Sequence, residues 1–175
     1  ATSALTLAAT QMAEAAGARV LVTAASEEKC AIARGLGAAA TTTNRESDIT
    51  SWVMQQTDGK GVDIVLDHVG PALWEASLFA LAPRGRLVPR GNTTGDSANI
   101  PSLGFLFQRG IQIKGSDAYF STDFASVWAL YCEGMEHGRF SPQIQETFAI
   151  EHGAQAHQIL ETGEATGRLV MQHMS

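Results

Sequence analysis

The sequence predicts an α/β fold with a parallel sheet, and two segments near its middle are the main reason. Residues 61–70 (GVDIVLDHVG) and 85–95 (GRLVPRGNTTG) each have the pattern of a short apolar strand that ends in a polar or glycine-rich turn. A helix-like run over residues 72–81 lies between them, so the three parts form a β-α-β unit. Because open α/β sheets bind nucleotides at the carboxyl ends of parallel strands, we predict a nucleotide-cofactor domain.

The composition favours one main globular domain. The chain has 175 residues and is 45% hydrophobic, which is enough for one substantial core. Its formal net charge is −6 and its 12 Lys and Arg residues are scattered, which argues against nucleic-acid binding. Cys30 and Cys132 lack the spacing of a zinc site or a disulfide framework, so we expect a cytoplasmic protein. We also expect no membrane span, because no apolar stretch is long enough, and no signal peptide, because the Ala-rich start lacks a basic n-region and a strongly apolar h-region.

The first part of the chain predicts alternating helices and strands. Residues 4–15 follow helical spacing, and Gly17 is placed as a C-cap glycine. The compact apolar segment 18–24 predicts a buried strand. Ser26 is then placed to N-cap a helix over residues 27–36, because its hydroxyl can accept from a free amide of the first turn.

The alternation continues and then loosens after residue 95. Residues 39–42 predict a short strand, and Asp48 is placed to cap a helix that runs through Gln56. The remaining elements predicted after the β-α-β unit are a short helix ending near residue 107, a strand at 110–116, a helix at 122–134, an extended piece from 140, a helix around 154–160 and a strand at 167–171.

Several segments have a recognisable form when they are taken together. They are residues 8–20 (AATQMAEAAGARV), 26–29 (SEEK), 35–38 (GLGA), 59–70 (GKGVDIVLDHVG) and 167–170 (GRLV). In this order they resemble the cofactor half of the medium-chain dehydrogenase/reductase superfamily. Within it, the chain is most similar to the quinone oxidoreductase and enoyl reductase branch. The resemblance covers essentially the whole chain.

The resemblance implies a Rossmann-type, doubly wound parallel sheet over residues 1–139. Residues 140–175 are then expected to return to the GroES-like catalytic lobe that precedes the sheet in the family. The family's first sheet strand and nearly all of that lobe have no counterpart in the sequence. We therefore expect the chain to be part of a longer protein.

The implied activity is transfer of a hydride from NADPH to a small molecule, either a quinone, an enal or an enoyl-type substrate. Two alternatives stay open: a zinc-dependent alcohol dehydrogenase of the same superfamily, and a cofactor-free homologue that acts as a binding or assembly module. Catalytic zinc needs about three protein ligands. The zinc-dependent branch draws them from the absent lobe, so zinc stays undetermined and no catalytic residue is assigned.

The cofactor preference follows from charge at the end of the second family strand. An NAD site places a carboxylate there, whereas a 2′-phosphate needs cationic and hydroxyl donors. The segment 23–26 (TAAS) has no carboxylate, and by resemblance Ser26, Lys29 and Arg45 contact the 2′-phosphate, so NADP is favoured over NAD. Asn44 stands where the family has a tyrosine near the adenosine phosphate. The alternative is that Ser26 is only an N-cap and Lys29 only a solvated helix residue.

By resemblance, the nicotinamide end of the dinucleotide lies against backbone groups that follow the next two strands. The residues are Val69, Gly70, Gly91, Asn92 and Thr93. Glycine permits close approach of a ligand to the backbone, although an ordinary strand-terminating turn also explains the two glycines. We interpret His68, between strand and turn, as structural.

Two further features bear on binding and assembly. The family's G-x-G-x-x-A turn falls on residues 4–9 (ALTLAA), where Ala4 and Thr6 replace both glycines, so dinucleotide binding there is in question. The strand of Ile111, Gln112, Ile113 and Lys114 lies at the sheet edge in the family and pairs with a second subunit. Because an exposed edge must be paired or protected, we predict a homodimer.

Overall fold

The computed structural model describes residues 4–44, 48–116 and 121–173, which form an α/β structure. The predicted alternation of helix and strand through residue 89 is confirmed. The elements are α1 (Ala4–Ala15), β1 (Leu21–Ala24), α2 (Glu27–Gly35), β2 (Ala40–Thr43), α3 (Ile49–Gln56), β3 (Val62–Asp67), α4 (Pro71–Phe79), β4 (Leu81–Pro89), α5 (Leu103–Arg109), β5 (Gln112–Ile113), α6 (Phe124–Glu136), β6 (Ile144–Ala149), a 3₁₀ turn (Ile150–His152), α7 (Gly153–Glu161) and β7 (Arg168–Gln172).

The chain divides into two compact units. The first comprises residues 4–44 and 128–173, and the second comprises residues 48–116 and 121–127. In the first unit β1 pairs with β2, and β6 pairs with β7. In the second unit the strand order is β3-β4-β5. Every one of these pairings is parallel, which confirms the predicted fold class. Residues 140–175 as part of a catalytic lobe remain a prediction.

Small and branched apolar residues form the core around the first strand pair. Val22 of β1 packs with Ala33 and Ala38, and half-buried Val20 covers this cluster. Alanine at two of these positions keeps the side chains between α2 and the strands small, so helix and strands pack closely.

In the first unit, Gln11 fastens the segment before β6 to helix α1. Its Oε1 accepts from the Ser141 amide at 2.8 Å, and its Nε2 donates to the Ser141 carbonyl at 3.1 Å. The side chain is buried, so both polar groups need these partners. This pair of bonds imitates one step of a strand ladder and fixes where the chain enters β6.

Leucines form the core of the second unit and correct one predicted boundary. The helix expected over residues 72–81 ends at Phe79, and Leu81 begins β4. Leu81 is fully buried with Leu78 and Leu87, and it pairs with Val62 across the sheet. Burial and strand pairing at Leu81 therefore override the helical spacing of the sequence.

Two other predicted bounds also change. The strand expected over residues 110–116 is reduced to Gln112–Ile113, because only these residues pair with β4. The helix expected from residue 122 begins at Phe124 and continues to Glu136. Ile111, which belongs to the predicted strand, packs against the leucine cluster of the second unit, so its apolar side chain is part of the core.

Among the described residues, no helix is long and apolar enough to cross a membrane.

Asp48 caps α3 as the sequence predicts. Its carboxylate accepts from the Ser51 hydroxyl at 2.7 Å and from the Ser51 amide at 3.1 Å. Both bonds favour the charged form and lower the pKa of Asp48, and the bond from the Ser51 hydroxyl has the larger effect.

This lowered pKa predicts a contribution to acid stability. Since the folded-state pKa lies below the unfolded one, the stabilisation from Asp48 is present above the ordinary carboxyl pKa and is lost as the pH falls through the lowered value. Asp48→Asn keeps a good N-cap but removes the titration. We expect the free energy of unfolding of this variant, measured by denaturant titration of the full natural chain, to fall less steeply in acid than that of the wild type. Identical acid slopes would contradict the assignment.

Candidate cofactor-binding site

Ser26 occupies the turn between β1 and α2 in the first unit. Its backbone is extended (φ −151°), and its oxygen accepts from the Lys29 amide at 3.4 Å, so it is the N-cap of α2. A serine hydroxyl that accepts this bond still has its proton to donate. Before it, the end of β1 and residue 25 are alanines, so this strand end carries no carboxylate. Ser26 can therefore cap the helix and donate a hydrogen bond to a phosphate at the same time.

Lys29 is buried rather than solvated. Its side chain lies on the first turn of α2, the residue is 7% exposed, and its Nζ donates to the Gly163 carbonyl at 2.7 Å. Gly163 follows helix α7, where carbonyl groups carry the negative end of the helix dipole. The alternative of a solvated helix residue is thus wrong. Within the described parts of the chain its hydrogen-bond partner is Gly163, so an ammonium with three donors has up to two for another acceptor.

Asn44 lies at the same end of the strand pair as Ser26. Its amide donates to the Ala24 carbonyl at 2.9 Å, which continues the ladder between β1 and β2 by one step. Arg45, the other residue predicted here, lies outside the described residues. The nearby acidic residue Glu27 pairs with Arg34 at 2.5 Å on an exposed part of α2, which neutralises one negative charge beside the turn.

In the second unit, the turn after β3 is organised by a carboxylate that the sequence analysis did not single out. Asp67 is 4% exposed, and its Oδ1 accepts from the amides of Val69 (2.7 Å) and Gly70 (3.0 Å). Its Oδ2 accepts from the Ser77 hydroxyl of α4 at 3.1 Å. The signal in the sequence is an Asp at a strand end with Gly three residues later, a pattern that favours side-chain bonding to the turn.

The loop after β4 is bonded to this turn. The Val69 carbonyl accepts from the Thr94 amide at 2.9 Å and from the Thr94 hydroxyl at 2.7 Å. The Thr93 hydroxyl donates to the His68 carbonyl at 3.3 Å, and the Asn92 side chain donates to Asp96 at 2.8 Å. The structure thus brings the turn of Val69 and Gly70 and the loop of Gly91, Asn92 and Thr93 together at the carboxyl ends of β3 and β4.

The two glycines predicted here permit close packing of the loops on each other. A Cβ at Gly91 would lie 2.9 Å from the His68 carbonyl oxygen. One at Gly70 would lie 3.2 Å from the Asn92 Cα, and the φ of +85° at Gly70 is one that other residues rarely adopt. Loop-on-loop packing is sufficient to explain both glycines.

The segment that resembles the glycine turn has become helix. Residues 4–9 form the first part of α1, and Leu7 within them is 1% exposed. Ala is the strongest helix former, and Thr, although weaker, is still better than glycine in a helix, so Ala4 and Thr6 favour this helical start.

The described residues contain no group of three or more His, Cys, Asp or Glu that could hold a metal ion. They therefore do not provide a zinc site, and no chemical step is assigned to zinc.

Parallel strands joined by helices, with polar turns at their carboxyl ends and a hydroxyl and an ammonium where NAD sites carry an acid, define a Rossmann-type dinucleotide-binding domain. The family model for zinc-binding dehydrogenases matches residues 4–133. The chain belongs to this family, and the predicted place in the medium-chain dehydrogenase/reductase superfamily is confirmed.

Individual relatives agree with this placement. A quinone oxidoreductase of Pseudomonas aeruginosa is 33% identical and aligns with 92% of this chain and 51% of its own length. The structure of Escherichia coli quinone oxidoreductase complexed with NADPH has a TM-score of 0.83 at 27% identity, covering 94% of this chain and 52% of that one. An NAD-dependent alcohol dehydrogenase structure has a TM-score of 0.88 at 30% identity, covering 99% and 49%. The chain thus spans about half the length of the relatives that it matches.

The close packing at Gly91 makes a testable prediction. Gly91→Ala is expected to lower the free energy of unfolding by about 1–3 kcal/mol, because the added methyl group meets the His68 backbone. Gly35→Ala is the matched control, since nothing lies within 4 Å of its added Cβ. That variant should be neutral or stabilising by up to about 1 kcal/mol in the helix. Equal effects in denaturant unfolding of the full natural chain would refute the packing argument.

Proposed function

We propose that the natural protein is an NADPH-dependent oxidoreductase that transfers a hydride to a quinone, an enal or an enoyl-type substrate. The observation that carries the proposal is the donor set after β1: the Ser26 hydroxyl and the Lys29 ammonium, with no carboxylate at the strand end. A dianionic 2′-phosphate fits such donors, whereas a free ribose hydroxyl favours an acid.

In this proposal the chain holds the two ends of the cofactor differently. Ser26, Lys29, Asn44 and Arg45 bind the 2′-phosphate end by charge and hydrogen bonds. The nicotinamide end contacts the turn of Val69 and Gly70 and the loop of Gly91, Asn92 and Thr93. The amides of Val69 and Gly70 already donate to Asp67, so these two residues contribute shape and the Asn92 and Thr93 side chains contribute polarity. NADPH itself supplies the hydride.

The relatives support the cofactor choice at the level of the family. The Escherichia coli neighbour is an NADPH complex, while the alcohol dehydrogenase neighbour is NAD-dependent, so the two nucleotides must be compared directly. The free thiols Cys30 and Cys132 support a cytoplasmic location. We further propose that residues 140–175 belong to the catalytic lobe of the natural protein.

A cofactor-free binding or assembly module is the second candidate, and one observation favours it. The residues in place of the family's glycine turn, including Ala4 and Thr6, carry side chains in helix α1. These side chains keep the helix backbone further from a pyrophosphate than glycine would.

Lys29→Ala tests whether Lys29 binds the 2′-phosphate. We expect it to weaken NADPH binding about tenfold or more while NADH binding changes little, because a hydrogen bond from a charged donor contributes roughly 1.5–3 kcal/mol. The measurement is a fluorescence titration of the full natural chain with both nucleotides, below the unfolding temperature of the variant.

Lys60→Ala, which removes an exposed lysine in the turn before β3, is the control for loss of charge. Equal weakening of both nucleotides would assign Lys29 a structural role through Gly163. Absence of binding by the wild type would favour the cofactor-free module.

A homodimer through β5 is also proposed. β5 pairs with β4 on one side, and the Lys114 amide bonds to Leu87 on that side. Since backbone direction alternates along a strand, the Ile113 amide points to the opposite side, and residue Ile113 is 38% exposed. Leu103 and Phe107 on the preceding helix are 71% and 74% exposed, which adds apolar surface to the second unit. A second copy pairing edge to edge accounts for both features.

Ile113→Pro tests the dimer, because proline lacks the outward amide. We expect light scattering after size exclusion of the full natural chain to give a monomer for this variant and a dimer for both the wild type and Ile113→Val. A dimer that survives Ile113→Pro would place the contact elsewhere.

A further inference from the structure

The Asp67 carboxylate is the most fully bonded buried charge in the described part of the second unit. Its two oxygens accept from the Val69 amide, the Gly70 amide and the Ser77 hydroxyl at 2.7, 3.0 and 3.1 Å. Its backbone carbonyl also accepts from the Arg90 amide at 2.6 Å, which joins the end of β3 to the end of β4. Asp67 therefore connects a strand end, a turn and the first helix after it.

These bonds fix the turn from one side, and the loop after β4 fixes it from the other. Both amides of the turn point toward Asp67, while the Val69 carbonyl points toward Thr94. The Gly70 carbonyl accepts from the Leu73 amide at 3.0 Å as α4 begins. Each backbone polar group of Val69 and Gly70 thus has an internal partner, so the conformation of the turn is set before any ligand binds.

A buried carboxylate is costly in an apolar setting, and its donors must offset the loss of water. Removing it leaves the Val69 and Gly70 amides without their acceptor, which is unfavourable for donors that water reaches poorly. The side chain is directed into the turn and toward Ser77, so half-buried Val69, with buried Gly70 behind it, forms the part of the turn that a ligand can reach. Asp67 can act on a ligand only through these residues.

We propose that Asp67 is a positioning residue for the nicotinamide end of the cofactor. It holds Val69 and Gly70 in the one conformation whose surface accepts the nicotinamide moiety, and it makes no contact with the cofactor itself. This inference rests on the proposed function, because it assumes that the turn contacts a dinucleotide. It differs from a purely stabilising role, since the ordered turn, and not the stability of the unit as a whole, determines affinity.

The test compares variants of the full natural chain by NADPH titration and by amide hydrogen exchange. Asp67→Ala should raise the Kd for NADPH at least tenfold and should speed exchange at the Val69 and Gly70 amides. Asp67→Asn retains an oxygen acceptor for both amides and should restore the Kd to within about threefold of the wild type. Should Asp67→Ala fail to fold, Asp67→Ser takes its place, with a Kd expected between those of the wild type and a tenfold loss.

Two controls separate positioning from stability. Ser77→Ala removes only the bond to Oδ2 and should leave the Kd within about threefold. Asp48→Ala removes the cap of α3, lowers the unfolding midpoint and should leave both the Kd and the exchange of the turn amides unchanged. A Kd that instead follows the unfolding midpoint across all variants would overturn the positioning role.

The outcomes also distinguish this inference from the proposed function. A wild type that binds neither NADPH nor NADH overturns both. A wild type that binds NADPH, with an Asp67→Ala variant of unchanged Kd, overturns the positioning role alone and leaves the proposed function intact.

Discussion

The parallel pairing of the strands is the constraint on which the other features depend. Two parallel neighbours cannot be joined by a tight turn, so each pair needs a crossover, and here α2 and α4 supply it between β1 and β2 and between β3 and β4. The carboxyl ends of paired strands then lie at one edge of the sheet. In the second unit this places the turn after β3 beside the loop after β4, and their mutual bonds follow.

Two buried charged side chains fix the conformation of the chain around them. Lys29 and Asp67 are charged residues of opposite sign, each nearly inaccessible to water, and each is bonded to backbone groups. A charge in such a position must be satisfied before a ligand arrives, because isolated buried charge is prohibitively costly. The two side chains differ in how many of their hydrogen-bonding groups are already used. Within the described residues the Lys29 ammonium has one partner and further donors, whereas the Asp67 carboxylate accepts from the turn with one oxygen and from Ser77 with the other.

The parts of the fold that sequence could predict are those set by local physics. Ser26 and Asp48 cap helices as expected, since a cap depends on a side chain and an amide three residues away. Helical spacing places Leu81 in the wrong element, because its pairing with Val62 and its full burial depend on residues distant in the sequence. The burial of Lys29 was missed for the same reason, as its partner Gly163 lies far along the chain.

The start of α1 shows how such a site tolerates change. The dipole of a helix gives its N-terminus a partial positive charge whatever the side chains are, so replacing the family's glycines by Ala4 and Thr6 does not remove the electrostatic attraction for a phosphate. What glycine adds is a shorter distance of approach. Under the proposed function, a chain without these glycines must obtain more of its cofactor affinity from the other turns. Under the proposed function, the buried ammonium of Lys29 and the turn held by Asp67 meet this need, because hydrogen bonds within the chain fix both before a ligand binds.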